Sequence, residues 1–181
     1  MKVISVNVGK KKKINYKGKI IETGIFKFPI ENSIFLGKED VEADTVIDRR
    51  YHGGIEKAVY AYSENHYEYW KALYPNLDWR FGMFGENLTI SKLEETEIYI
   101  GSQYKLGKTI IEVTKPREPC MKLGLVFGTQ KILNQFWNST KSGIYFKVIQ
   151  TGIVKSGDEL ILISEAKNTP TIAELYEDKK K

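Results

Sequence analysis

Three stretches of this 181-residue chain hold side chains whose types and spacing suit chemistry. The first is VTKPREPCMKLG, residues 113–124, which contains the single cysteine, Cys120, directly after Pro119 and among Lys115, Arg117 and Lys122. Pro116 and Pro119 deny the backbone a regular strand or a helix interior, so the segment reads as a fixed bend after TIIEVT. The MKLGLVFG that follows can open a helical turn, with Pro119 near its first position and Cys120 facing backbone N–H groups. Such amides and the neighbouring cations favour thiolate over thiol. A thiolate is what a soft metal centre or a redox reaction requires. The plain alternative is a small, buried, apolar cysteine.

The second stretch is DRRYHGGIEKAVYAY. Arg49, Arg50, His52 and Lys57 cluster there, with Asp48 and Glu56 as counter-charges. Gly53 and Gly54 carry no Cβ, so the backbone can come close to a ligand; a glycine turn flanked by solvated arginines is the simpler reading. In the third, FGMFGENLTI, Glu86 and Asn87 follow two glycines and could be presented into a pocket, or could serve their own turn. His66, within a helical pattern, reads as a packed or surface residue. One Cys and two widely separated His cannot close a structural zinc site. No Walker or dinucleotide glycine loop is present. A nucleophilic pair of Cys120 with His52 or His66 fits by type but lacks the flanking context of such enzymes.

These residues need a scaffold, and the chain reads as short strands punctuated by glycine. KVISVNV alternates; after a lysine loop, GKIIETGIFKFPI gives two extended pieces broken at Gly24; AVYAY is an apolar strand. EIYIGSQYKLGKTIIEVTKP offers three strands parted at Gly101 and Gly107, and IYFKVIQTGIVKSGDELILI repeats that pattern. The expected class is mainly β with a few helices, as a closed or partly closed antiparallel barrel rather than parallel βαβ units. Helices are expected in SENHYEYWKALY, with Ser63 as N-cap and a stop at Pro75, and in TQKILNQFWNST, with an apolar stripe of Ile132, Leu133, Phe136 and Trp137. A terminal helix, TPTIAELYEDKKK, opens at Thr169 or Thr171.

The composition is globular, the length suits one domain, and a lone Cys fits a reducing cytoplasm. No signal-peptide core and no run of bilayer length occurs, so no membrane is expected as a partner. The net charge of +5 invites a nucleic-acid reading, but Lys10 to Lys13 and Lys179 to Lys181 supply seven positive charges, leaving the remainder at −2. Lysine runs of this kind are usually solvated, and nucleic acid is not expected as a partner.

Taken in order, DRRYHGGIEKAVYAY, FGMFGENLTI, IGSQYKLG and VTKPREPCMKLG resemble the MOSC domain, named for the C-terminal domain of molybdenum cofactor sulfurase, in its stand-alone bacterial form. The resemblance runs from KVISVNVGK to SGDEL and implies a MOSC-type, barrel-like β fold with a cleft, over residues 1–165, and a short C-terminal helical tail at 166–181. It implies the molybdenum cofactor (molybdopterin), with Cys120 at the metal; by residue type, His52 and then Glu86 are the candidate catalytic acids beside it. The motif places cofactor contacts on His52, Gly53, Gly54, Lys57, Asn87 and Arg117, and charge adds Arg49 or Arg50 and Lys122 for an anionic cofactor. Pyridoxal phosphate binding is a further property associated with the family. The chain departs from the pattern at Lys115, where many members have glutamine, and in its short C-terminus. The implied activity is reduction of N-hydroxylated compounds such as 6-hydroxylaminopurine. That needs a small-molecule substrate and an external electron donor protein, since no flavin, nicotinamide or iron–sulfur signature is present. A carrier that delivers the cofactor or its sulfur without turnover is the alternative. An edge strand or the Ile132–Trp137 stripe leaves a homodimer open.

Overall fold

The computed structural model describes residues 1–47 and 52–181. The strands are β1 (Val3–Gly9), β2 (Lys12–Tyr16), β3 (Lys19–Thr23), β4 (Lys27–Ile30), β5 (Ile34–Leu36), β6 (Val59–Ser63), β7 (Leu88–Ile90), β8 (Gln103–Leu106), β9 (Thr109–Pro116), β10 (Ile144–Gln150), β11 (Gly152–Val154) and β12 (Leu160–Ser164). The helices are α1 (Glu64–Leu73), α2 (Met121–Phe127), α3 (Lys131–Asn138) and α4 (Ile172–Asp178). Eight strands form one sheet in the order β12-β8-β9-β10-β6-β7-β1-β4, while β5 with β11 and β2 with β3 make separate ribbons. The sheet curls without full closure: β12 and β4 stay unpaired with each other, but a bridge between Lys2 and Glu159 ties the start of β1 to the start of β12.

Alternation along the central strands separates two cores. Val59 and Ala61 of β6 and Ile144, Phe146 and Val148 of β10 point into an aliphatic barrel core with Val6, Leu88 and Ile111. Tyr60, Tyr62 and Tyr145 point the other way, into an aromatic layer with Tyr67, Trp70, Phe84, Phe127 and Phe136. That layer is closed by α1, α2 and α3. Phe84 stacks on Tyr62 with ring centroids 4.2 Å apart, and Trp70 stacks on Phe136 at 6.0 Å.

Four local expectations are corrected. Half of the lysine run is strand: Lys12 and Lys13 lie on β2 and pair with β3 across a Lys17–Gly18 turn in which both residues have positive φ. EIYI contributes an isolated bridge, Tyr99 to Thr171, because the terminal segment covers it in place of a sheet neighbour. Ser63 stands at the N-cap of α1, yet its buried hydroxyl makes no capping bond. One pairing is parallel, β6 with β7, since α1 carries the chain over the sheet between them. The terminal helix opens at Thr171 with a full capping box to Glu174, and Ile172, Ala173 and Tyr176 are buried.

Phe84 is fully buried at the centre of the aromatic layer. Phe84→Ala should therefore cost about 3–5 kcal/mol in urea unfolding; a loss below about 1 kcal/mol would contradict the layer's role.

Candidate functional site

The strand order delivers the three motifs to one cleft. β10 lies between β9 and β6, with Tyr145 opposite Tyr60 on one side and Lys115 on the other. The Tyr60 and Tyr145 rings, 5.0 Å apart, make the floor. β9 runs through Pro116, further than the prolines suggested, because a missing N–H is tolerated at a strand end. The chain then bends, places Cys120 in extended geometry at the N-cap of α2, and begins the helix at Met121 rather than at Pro119.

Arg117 is 4% exposed, and its guanidinium lies 4.8 Å from the centroid of the Tyr60 ring. Among the described residues, its Nε and Nη1 have no hydrogen-bond partner. Gly85, at positive φ, leaves room for it, since a Cβ there would stand 3.3 Å from Nη1. Burial works against the arginine's charge, but Tyr60, Tyr145 and the Cys120 sulfur favour it and hold its pKa above the ordinary value. The result is a buried cation on the lining of the cleft, with donors left unmet among the described residues, a configuration that calls for an anionic acceptor.

Cys120 is half-buried. Burial alone would push its thiol up. A side-chain bond from His52, the charges of Arg117 and His52, and the Lys122 backbone N–H outweigh that effect and bring it from 9.0 down to about 6. The cleft around this sulfur is lined by His52, Gly53, Lys57, Asn87, Arg117, Lys122 and both tyrosines. A second depression on the other side of Cys120 shares His52, Lys57, Lys122 and Tyr145 and adds Lys115, Pro116 and Glu118. Lys57 lies 5.8 Å from the Tyr145 ring centroid, and burial followed by the charge of Lys115 lowers its pKa.

Of the expected site residues, His52, Gly53, Lys57, Asn87, Arg117, Cys120 and Lys122 meet in this cleft. Arg49 and Arg50 lie outside the described residues. Gly54 stands one step back, at the start of a 3-10 turn over Ile55–Lys57, and its N–H donates to the Glu39 carbonyl. Glu86 does not line the cleft. Its carboxylate is fully buried and accepts from Tyr67 Oη at 2.5 Å, Gly82 N at 2.8 Å, Phe84 N at 3.1 Å and Thr89 Oγ1 at 2.9 Å. Burial pushes it up despite those bonds, so it organises the loop rather than facing a ligand. His66 is packed away, its Nε2 2.7 Å from Glu95 Oε2, which leaves His52 as the partner of Cys120.

Sequence reasoning missed the opposite wall. Lys27, 7% exposed, is ion-paired with Asp44. Asp44 also accepts from the Gly9 N–H at 2.8 Å and from Asn87 Nδ2 at 2.9 Å. Burial pulls the Lys27 ammonium down, and Asp44 opposes this. The wall continues through Thr23–Ile25 and Thr45–Ile47. The partners lie far apart in sequence, so no local spacing announces them. Among the described residues, no three His, Cys, Asp or Glu side chains are grouped to hold a metal ion. A metal at Cys120 would therefore have to arrive with ligands of its own. No helix among the described residues is long and apolar enough to cross a membrane.

Comparison with known proteins identifies relatives of the whole chain. The MOSC domain family model matches residues 48–161. The chain is 37% identical over 162 residues to the uncharacterized protein YflK of Bacillus subtilis (strain 168), covering 90% of this chain and 73% of that one. It is 32% identical to the protein YiiM of Escherichia coli (strain K12) over 78% of this chain and 64% of that one. A protein described as a reductase from Gibberella moniliformis is 31% identical over 89% of this chain, but the match spans only 29% of the fungal protein. The crystal structure of YiiM from Geobacillus stearothermophilus superposes with a TM-score of 0.81 at 30% identity, covering 98% of this chain and 83% of that one.

The rate of iodoacetamide alkylation should follow an ionisation near pH 6, and His52→Ala should move that midpoint up toward 9.0. Because folding lowers this pKa, the thiolate contributes stability that is fully present above the unfolded thiol's value and is lost as pH falls through about 6. A wild-type midpoint near that of a free thiol, or no shift in the variant, would contradict the assignment.

Proposed function

The chain belongs to the MOSC domain family, and on that premise we propose that it binds the molybdenum cofactor with Cys120 at the metal and reduces N-hydroxylated compounds, N-hydroxylated purine bases among them. The observation that carries the reading is a buried arginine with two unmet donors, Arg117, in one cleft with an acidic, half-buried thiol. The donor set fits the group. Arg117, Lys57 and Lys122 suit a phosphate and an anionic dithiolene, and a thiolate suits a soft metal. Asn87 and Gly53 complete the walls, Gly53 by close backbone approach at positive φ. When bound, the cofactor supplies the two-electron chemistry that removes oxygen from nitrogen.

The balance is R–NHOH plus two electrons and two protons giving R–NH₂ and water: the N–O bond breaks, nitrogen is reduced, and the donor is oxidised. The chain's own residues bind, orient and move protons. Tyr60 and Tyr145 form a rigid floor on which a flat base can rest. His52, on the cleft lining beside Cys120, is the proton donor of this reading. The Lys27 ammonium, with Asp44 fixed behind it, is the second proton-bearing group on the cleft wall. The proton role assigned to Glu86 passes to these two, because the four bonds to its carboxylate keep it under the loop.

Electrons come from outside the domain in this reading. The fungal relative described as a reductase continues well beyond its matched segment, which supports that arrangement. A free thiolate of this kind suits a reducing cytoplasm, and residues 1–165 are taken as the working unit with 166–181 as its tail. Protein from a cofactor-competent host should retain molybdenum and reduce 6-hydroxylaminopurine with an artificial donor, and Cys120→Ser should lose both. Metal without turnover would favour the delivery role instead. Wild-type metal retention by the serine variant would remove Cys120 from the site.

A further inference from the structure

The β2–β3 ribbon and the two residues leading into it carry Lys10, Lys11, Lys12, Lys13, Lys17 and Lys19 against the one carboxylate of Glu22. That is a charge of +5, equal to the net charge of the whole chain, so the remaining residues sum to zero. Among the described residues, β2 and β3 pair as strands with each other alone, outside the eight-stranded sheet. Glu22 meets Lys11 at 2.6 Å and Lys13 at 3.7 Å, and all six lysines are exposed.

The ribbon's root is fixed to the cleft. β3 runs directly into Thr23, Gly24 and Ile25, which line it. Gly24 packs backbone to backbone on the opposite wall: a Cβ there would stand 1.9 Å from the Thr45 carbonyl oxygen, and one on Gly9 would stand 2.2 Å from the carbonyl oxygen of Gly24. Whatever docks on the ribbon is therefore held at the cleft's rim.

We propose that the β2–β3 ribbon is the docking surface for a small acidic electron-carrier protein that supplies the cleft. This rests on the reductase reading, whose reaction consumes two electrons per N–O bond and needs a donor, here named by class as a reduced flavodoxin or iron–sulfur carrier. A surface holding the entire net positive charge at one edge of a site steers an acidic partner to that edge. Nucleic acid fits less well. Its bases need bare aromatic platforms, whereas Phe26 lies under Lys12 at 4.7 Å, Tyr16 under Lys17 at 5.5 Å and Phe28 under Arg80 at 4.2 Å.

The test uses the full chain loaded with cofactor, its fourfold Lys→Glu variant at Lys12, Lys13, Lys17 and Lys19, and the matching Lys→Gln variant in case charge reversal unfolds the ribbon. Binding of an acidic flavodoxin and of an acidic ferredoxin is measured against salt, alongside turnover driven by each and by reduced methyl viologen. Wild type should bind at least one carrier with affinity falling as salt rises, and the reversed variant should bind and turn over at least about tenfold worse with it. The Gln variant should fall between the two, and viologen-driven turnover should persist in all. Equal binding by all three proteins, binding of neither carrier by wild type, or tighter binding of a 20-nucleotide single strand than of either carrier overturns the proposal. Absence of viologen-driven turnover in wild type sinks the reductase reading, while the binding comparison still judges the docking surface.

Discussion

Burial of the Arg117 guanidinium against Tyr60, beside the Cys120 sulfur, is the interaction on which the site depends. An arginine at 4% exposure with unmet donors is costly unless something negative shares its surroundings. The thiolate supplies part of that charge, and the arginine in turn lowers the thiol, so each ionisation supports the other. The unmet Nε and Nη1 are what is left over. The buried charge of Arg117 on the lining gives the cleft its demand for an anion. In the MOSC reading, that demand is met by the cofactor's phosphate and dithiolene.

The fold makes this arrangement affordable by separating tasks between the two faces of one sheet. The aliphatic barrel core, with Val59, Ala61, Ile144 and Phe146, fixes strand register. That register sets Tyr60 opposite Tyr145 and so builds the floor. The aromatic layer then holds α1, α2 and α3 against the same face, which places the N-cap of α2 and its cysteine over the floor's edge. Glu86 belongs to this scaffold: its four bonds tie Tyr67 of α1 and Thr89 of β7 to the loop over Gly82–Phe84, whose Gly85 admits Arg117.

Much of this was legible in the sequence because its signals are local. Proline-stiffened bend, lone cysteine and flanking cations stand within a dozen residues, and so do His52, Gly53 and Lys57. Strand punctuation by glycine gave the fold class, and the start of the terminal helix was narrowed to Thr169 or Thr171, of which Thr171 carries the capping box. What escaped depends on pairing across the chain. Lys27, Asp44 and Asn87 meet only because β1, β4 and β7 are neighbours, and nothing at any one position marks the meeting. Glu86 shows the converse difficulty: a carboxylate after two glycines reads alike whether it faces a ligand or its own loop, and only the four donors around it decide. The lysine run likewise looked like a loop, because the cross-strand partners that make it a strand lie beyond the Lys17–Gly18 turn.

The most direct test is X-ray absorption at the molybdenum edge of the loaded protein with selenocysteine incorporated in place of Cys120. A selenium neighbour in the metal's first shell is the predicted result. A fully loaded, active protein whose molybdenum has no selenium neighbour would contradict the account.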